Sequence, residues 1–234
     1  MSFKPQSAGV NFGDLSGILA GKILTHEDAI DLSRPQAPRM YGTQRSVLRD
    51  QEIYGEGTKA DCFFKVVSGV VRLCKFLNDG RRQVVSFHFA GDVFGVETGA
   101  IHKVSAEAVC DSTLVAYRRC SLESVVSGNE DIVRQMFFYA MHNAEQARDH
   151  TLLLGRCNAI ERVAHFLRDQ ARHGDNNSEI VLEMSRIDIA DYLGLTIETV
   201  SRTLSRLDRD HVIELVTSRI IRIKNFSALA AYAG

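Results

Sequence analysis

From residue 45 to about 119 the chain runs in short stretches of β-branched and aromatic residues cut by glycine-bearing turns. That texture predicts a compact all-β unit, with strands over 62–67, 70–76, 83–89, 104–109 and 113–117. Ser68-Gly69, Asn78-Asp79-Gly80 and Ala90-Gly91-Asp92 lie between them, each with a residue that tolerates positive φ, so at least two hairpins follow. After Ser121 the period becomes helical. Apolar or small residues recur at Val133, Phe137, Ala140, Ala144, Ala147, Thr151 and Leu154, in alternating steps of four and three, as in a coiled-coil seam. Met136 and Phe138 make the first two turns apolar enough to pack on the β unit. Further on, Asn143, Glu145, Gln146, Arg148, Asp149 and His150 leave little apolar surface outside the seam, which predicts a narrow contact with the same helix of a second copy, a homodimer.

A third texture fills 157–234: a helix over about 158–172, a polar hinge His173-Gly174-Asp175-Asn176-Asn177-Ser178, two short helices and a β-rich end. Before residue 44 there are two short helical patterns, over 15–24 and 27–32, and then a break at Pro35 and Pro38. The expected layout is an N-terminal arm (1–44), a β domain (45–120), a long dimerisation helix (121–156) and a C-terminal domain (157–234).

With 45% hydrophobic and 24% charged residues among 234, the chain has the composition of a soluble globular protein. A formal net charge of -1 means that any attraction to a polyanion must be local. No apolar run approaches the roughly 18 to 20 residues of a membrane span, and the first residues lack the apolar core of a secretion signal. A cytoplasmic protein with no membrane association is expected. The five cysteines, Cys62, Cys74, Cys110, Cys120 and Cys157, include no Cys-x-x-Cys pair, which suits reduced thiols in the core and no metal site. Cys157, at the hinge into the C-terminal domain, is the one candidate redox thiol.

The stretch 184–207 is the most informative. Ser185 with Asp188 three residues on is a capping-box start, and Ile189, Tyr192 and Leu193 form an inward face. Gly194 stops that helix, and Thr196 caps a second one whose inward face is Val200, Leu204 and Leu207. Two short helices joined by a glycine turn form a helix-turn-helix, whose second helix enters the major groove of DNA. Its outward face carries Ile197, Glu198, Ser201, Arg202 and Ser205. Arg202 can donate two hydrogen bonds to guanine, Glu198 can accept from cytosine, and Ile197 or Ser201 can meet a thymine methyl. Glu198 and Arg202, one turn apart, could also pair. Phosphate contacts are expected from Ser185, Arg186, Thr196 and Ser205, helped by the free N–H groups at both helix starts. Two β runs, 212–215 and 219–223, flank Val216-Thr217-Ser218 as a wing, whose Arg219 and Arg222 could hold another phosphate.

Over about residues 45–230 the sequence strongly resembles the CRP/FNR family of dimeric bacterial transcription regulators. Tyr54-Gly55-Glu56-Gly57-Thr58-Lys59-Ala60, Gly69, Gly80 and Gly91-Asp92-Val93-Phe94-Gly95 look like its sensor β-roll, and Ile197-Glu198-Thr199-Val200-Ser201-Arg202 looks like its recognition helix. The resemblance implies an α+β fold: a cyclic-nucleotide-binding-like jelly roll, a long dimerisation helix and a C-terminal winged helix-turn-helix. Ser201 with Glu198 and Arg202 is similar to the FNR/FixK branch, implying a palindromic double-stranded operator of the TTGAT-N4-ATCAA kind and recruitment of RNA polymerase.

In the cyclic-AMP receptors a glutamate after the cassette glycine and an Arg-Ser pair hold the nucleotide. Here Val96 follows Gly95, the pair reads Val104-Ser105, and Glu97 would repel a phosphate. FNR itself carries an N-terminal cysteine cluster that ligates an iron-sulfur centre, whereas no cysteine lies before Cys62. The resemblance therefore implies a FixK-like activator with no cofactor, controlled through its own synthesis or turnover, in oxygen-limited or nitrogen-fixing metabolism. One rival keeps the DNA-binding role but gates it with haem, nitric oxide, carbon monoxide or another small effector, with His88, His102, His142 and His150 as candidate axial ligands. A cupin-type enzyme is the other rival, and it needs clustered histidines and a carboxylate. Phe87-His88-Phe89 and the pair Glu161 with His165 supply no such cluster, so no catalytic residue is assigned and no enzyme is expected.

Overall fold

The computed structural model describes residues 42–119, 130–172 and 178–233. Residues 1–41 of the expected N-terminal arm, Cys120, residues 121–129 at the start of the expected dimerisation helix, and hinge residues 173–177 lie outside them.

Eight strands form the β domain: β1 (Thr43–Val47), β2 (Glu52–Tyr54), β3 (Cys62–Ser68), β4 (Val71–Phe76), β5 (Arg82–His88), β6 (Val93–Phe94), β7 (Ser105–Ala108) and β8 (Ser112–Arg118). They make two four-stranded antiparallel sheets, ordered β1-β8-β3-β6 and β2-β7-β4-β5. Alternating side chains from both sheets, among them Val47, Phe64, Val66, Val71, Phe94, Ala106 and Leu114, bury one another between the layers. The five strands read from the sequence are all present within one residue at either end, while β1, β2 and β6 were not foreseen. Gly69, in the turn between β3 and β4, has φ +87°, and a Cβ there would lie 2.8 Å from the Ser112 Cα. Only glycine fits that combination of conformation and close approach.

Helix α1 (Glu130–Arg156) leans on the β domain through Tyr139, whose hydroxyl donates to the Val93 carbonyl while its ring packs beside Phe63, Val93 and Tyr117. Phe137, Ala140, Ala144, Ala147 and Thr151 of the expected seam are exposed and Leu154 is half-buried. The Val133 side chain lies outside the described ones. Phe138, Met141 and Leu152 are exposed as well, so the apolar stripe is wider than the narrow seam expected from the sequence.

The C-terminal domain follows as α2 (Ala159–Gln170), β9 (Glu179–Val181), α3 (Arg186–Leu193), α4 (Ile197–Arg209), β10 (Ile213–Leu215), β11 (Ile220–Ile223) and α5 (Phe226–Ala233). Asn158 caps α2 in a reciprocal capping box with Glu161. The wing is a three-stranded antiparallel sheet, β10-β11-β9, rather than the two-stranded hairpin expected, because the strand ahead of α3 pairs with β11. The final residues form a helix, α5, where the sequence reading had only a β-rich end. Its Leu229 joins Val163, Leu167, Ile189, Leu193, Val200, Leu204, Leu207, Ile213 and Ile221 in one core. That core extends to Val70 and Val109 of the β domain, with Phe87 and Phe89 packed against it, so the two domains share an apolar cluster. Among the described residues no helix is long and apolar enough to cross a membrane.

Candidate DNA-recognition surface

Local hydrogen bonding explains why α3 and α4 start and stop where they do. The Ser185 hydroxyl accepts from the Asp188 N–H at 3.1 Å, and the Asp188 carboxylate accepts from the Ser185 N–H at 2.9 Å. Gly194 takes φ +61°, ψ +40° and donates its N–H to the Ala190 carbonyl, so the chain reverses within one residue. Thr196 then caps α4, its hydroxyl accepting from the Thr199 N–H at 3.2 Å.

Helix α4 buries Val200, Thr203, Leu204 and Leu207. Thr203 is the one member of this face that sequence reasoning missed, since a hydroxyl-bearing residue does not register in an apolar pattern. On the opposite face Ile197, Glu198, Ser201, Arg202 and Ser205 are all exposed, as expected. Glu198 is held below the usual carboxylate range, first by its own backbone N–H, then by the Thr196 hydroxyl, with the Arg202 charge a smaller cause. Among the described residues no ion pair joins Glu198 to Arg202. The expected pairing is therefore absent, and the Arg202 guanidinium is open to solvent.

The residues assigned to phosphate divide. Thr196 and Ser205 are exposed, but the hydroxyls of Ser185 and Thr196 are engaged in their caps. Arg186 is half-buried: one guanidinium nitrogen donates to the Ser218 carbonyl in the wing turn at 3.0 Å, and another is enclosed without a partner. Burial pulls the pKa of Arg186 below the usual arginine value. Arg219 donates to the Glu183 carbonyl at 3.2 Å. Arg222 is not free for phosphate as the sequence had suggested, because it bridges Glu214 and Glu179 at 3.1 Å each across the wing sheet.

Away from the reading face, α3 is gripped by side chains from other elements. Asp188, only 4% exposed, accepts from Arg82 at 2.6 Å and from Arg72 at 3.2 Å. Arg82 also reaches Asp191 at 2.8 Å, and the Gln83 amide donates to the Asp191 carbonyl at 2.6 Å. His150 of α1 stacks on the Tyr192 ring with centroids 4.2 Å apart and donates to the Tyr192 carbonyl at 2.9 Å. Arg162 of α2 donates to the Leu193 carbonyl at 2.9 Å, and also to those of Leu154 and Cys157. None of these partners was foreseen, as each lies far away in sequence.

In the β domain the residues around Gly95 do not fit an anionic nucleotide. Val96 is exposed and apolar, and the Glu97 carboxylate, which accepts from the Lys103 N–H at 3.2 Å, would repel a phosphate. Ser105 is buried with its hydroxyl accepting from the Glu56 N–H, and the nearby Arg72 is engaged by Glu107, Asp50 and Asp188. His102 stacks on Tyr54 at 3.6 Å, and His88 meets Ser86 at 3.1 Å. Exposed His142 meets Gln146 at 3.0 Å. Among the described residues no three His, Cys, Asp or Glu side chains gather as a metal-ligand set. Cys74 is fully buried, and burial foremost pushes its thiol up to about 11. Cys62, Cys110 and Cys157 are half-buried.

Comparison with known proteins agrees with this architecture. Residues 44–129 match the cyclic nucleotide-binding domain model, and residues 161–232 match the Crp-like helix-turn-helix domain model. The chain is 43% identical over 207 residues to the nitrogen fixation regulation protein FixK of Azorhizobium caulinodans, covering 86% of this chain and 84% of that protein. It is 40% identical over 192 residues to the protein of the same name from Rhizobium meliloti, covering 82% and 86%. The solved structure of FixK2 from Bradyrhizobium japonicum superposes with a TM-score of 0.81 at 41% identity, covering 83% of this chain and 98% of that one. Both FixK relatives are named as regulation proteins. A β-roll, a winged helix-turn-helix with its reading face exposed, and relatives matched over most of their length lead to one conclusion: the chain belongs to the CRP/FNR family of DNA-binding transcription regulators, in its FixK-like branch.

Proposed function

We propose that the protein acts as a homodimeric transcription activator on a TTGAT-N4-ATCAA-like palindrome, without cyclic nucleotide, haem or iron-sulfur cluster, and that it recruits RNA polymerase there. The observation that carries this reading is the exposed face of α4, where Ile197, Glu198, Ser201 and Arg202 stand clear of the buried Val200, Thr203, Leu204 and Leu207. Arg202 reads guanine, Glu198 accepts from cytosine, and Ile197 and Ser201 face thymine methyls. The N–H groups at the starts of α3 and α4, next to Ser185 and Thr196, meet phosphates together with Ser205. Arg186 supports this contact mainly by holding the wing turn through Ser218. The exposed stripe of α1 from Phe137 to Leu154 pairs with that of a second copy, and a two-fold axis sets the recognition helices about 34 Å apart. We place the protein in the cytoplasm, and relatives named for nitrogen fixation regulation support a role in oxygen-limited or nitrogen-fixing metabolism.

A fluorescence anisotropy titration under air, without nucleotide, on this palindrome and on a scrambled duplex tests the reading. Tight binding to the palindrome alone is expected. Arg202→Ala then weakens specific binding by about 1 to 3 kcal/mol and relaxes preference at one base pair, leaving the scrambled duplex unaffected. Equal binding of the wild-type protein to both duplexes would overturn it.

A further inference from the structure

The last four carbonyls of an α-helix have no partner within the helix. In α3 all four are satisfied, and three of them by side chains from other elements: Asp191 by Gln83 of β5, Tyr192 by His150 of α1, and Leu193 by Arg162 of α2. Only the Ala190 carbonyl is closed locally, by the N–H groups of Gly194 and Leu195. On the flank of the helix the carboxylates of Asp188 and Asp191 are held by Arg72 of β4 and Arg82 of β5. Arg72 is itself fixed by Glu107 and Asp50, so the grip is anchored in the sheet rather than made by loose surface chains.

The apolar cluster shared between the domains holds them together, but hydrophobic contact has no preferred direction. Charge-assisted hydrogen bonds and carbonyl caps do have direction, and they act on both the flank and the end of α3. Because Gly194 and Thr196 couple α3 rigidly to α4, orienting α3 orients the recognition helix. The grip leaves Ile197, Glu198, Ser201 and Arg202 exposed, so it holds the domain in an open, binding-competent pose rather than covering its reading face.

We propose that Arg82, Gln83 and His150 are positioning residues for operator recognition: they fix the orientation of the helix-turn-helix against the β-roll and α1, and thereby the half-site spacing that the dimer accepts, with no effector needed. This rests on the dimer-on-palindrome reading given above.

The test uses Arg82→Met, Gln83→Ala and His150→Phe, the last of which keeps the ring on Tyr192 and removes only the donor. Each is titrated against palindromes whose central spacer is four base pairs, one shorter, or one longer. The wild-type protein should prefer the four-base-pair spacer. The variants should lose about tenfold in affinity for it while the preference among spacers collapses. A variant that was merely less stable would lose affinity on every spacer alike and keep the preference, which would overturn the proposal. If the wild-type protein failed to distinguish palindrome from scrambled duplex, the dimer reading would fall instead. The grip would then be judged on the free protein by residual dipolar couplings. One alignment tensor should fit both domains of the wild type and two should be needed for Arg82→Met/His150→Phe, whereas a single tensor in the double variant would refute it.

Discussion

Replacing Asp188 by asparagine keeps the size of the side chain and removes its charge at the most heavily engaged point of α3. The carboxylate is 4% exposed and accepts from the Ser185 hydroxyl at 2.7 Å, the Ser185 N–H at 2.9 Å, Arg82 at 2.6 Å and Arg72 at 3.2 Å. Removing one partner of a buried ion pair costs about 3 to 5 kcal/mol when nothing else compensates the remaining charge. Here Arg72 keeps Glu107 and Asp50, and Arg82 keeps Asp191, so the cost falls to the lower end, about 3 kcal/mol. Urea unfolding at pH 7 measures it. The pH dependence has a definite sign. Burial raises the pKa of Asp188, but the Ser185 hydroxyl and N–H, and then Arg72 and Arg82, outweigh it and leave the group below its ordinary 3.8. A depressed carboxylate contributes stability that is fully present above the unfolded pKa and is lost as pH falls through the folded one. The gap between wild type and Asp188→Asn should therefore stay level from pH 7 down to the neighbourhood of 3.8 and narrow only below it. A gap under about 1 kcal/mol, or one that begins to close well above that pH, would refute the reasoning, since it would mean that burial dominates and the ion pairs contribute little.

Three further outcomes are expected. Phe137→Asp places a charge in the middle of the exposed α1 stripe and should yield a monomer in sedimentation velocity, with loss of palindrome binding but intact helical circular dichroism. Gly69→Ala forces a side chain onto a φ of +87° and against Ser112, and should lower β-domain stability by about 2 kcal/mol or more in thermal unfolding. Arg186→Ala should weaken binding to specific and scrambled DNA by the same factor, because it frees the wing turn at Ser218 rather than a base contact; a selective loss on the palindrome would contradict that role.

Much of the fold was legible because its signals are local. The strands of the β-roll announce themselves by alternation and by glycines at positive φ, and the caps at Ser185, Gly194 and Thr196 follow from residue chemistry alone. What escaped was short, distant or without a clear period, as in the largely polar and exposed β1, Thr-Gln-Arg-Ser-Val. β6 is two residues long and β2 three, too few for a period to show. Helix α5, Phe-Ser-Ala-Leu-Ala-Ala-Tyr-Ala, is apolar nearly all round and shows no amphipathic stripe, and its start is marked by the Asn225 side chain accepting from the Ala228 N–H. Met141 and Leu152 flank the alanine seam and widen it, which a strict four-three frame cannot register. The grip on α3 was illegible for a physical reason: Arg72 and Arg82 look like ordinary charged positions on alternating strands, and their partners lie more than a hundred residues away.

The alanines along the exposed stripe of α1 bear on how such a regulator responds to its own abundance. Ala140, Ala144 and Ala147 each remove little apolar surface from water, so along them two helices gain closeness more than hydrophobic energy, which falls to Phe137, Met141 and Leu152 beside them. A dimer of that kind dissociates as it is diluted, and at low levels the population of operator-competent pairs grows with the square of the protein concentration. Doubling synthesis would then nearly quadruple the pairs available to a promoter. Acting without an effector, as proposed, the protein would in this way convert a gradual change in its own supply into a steep change in transcription.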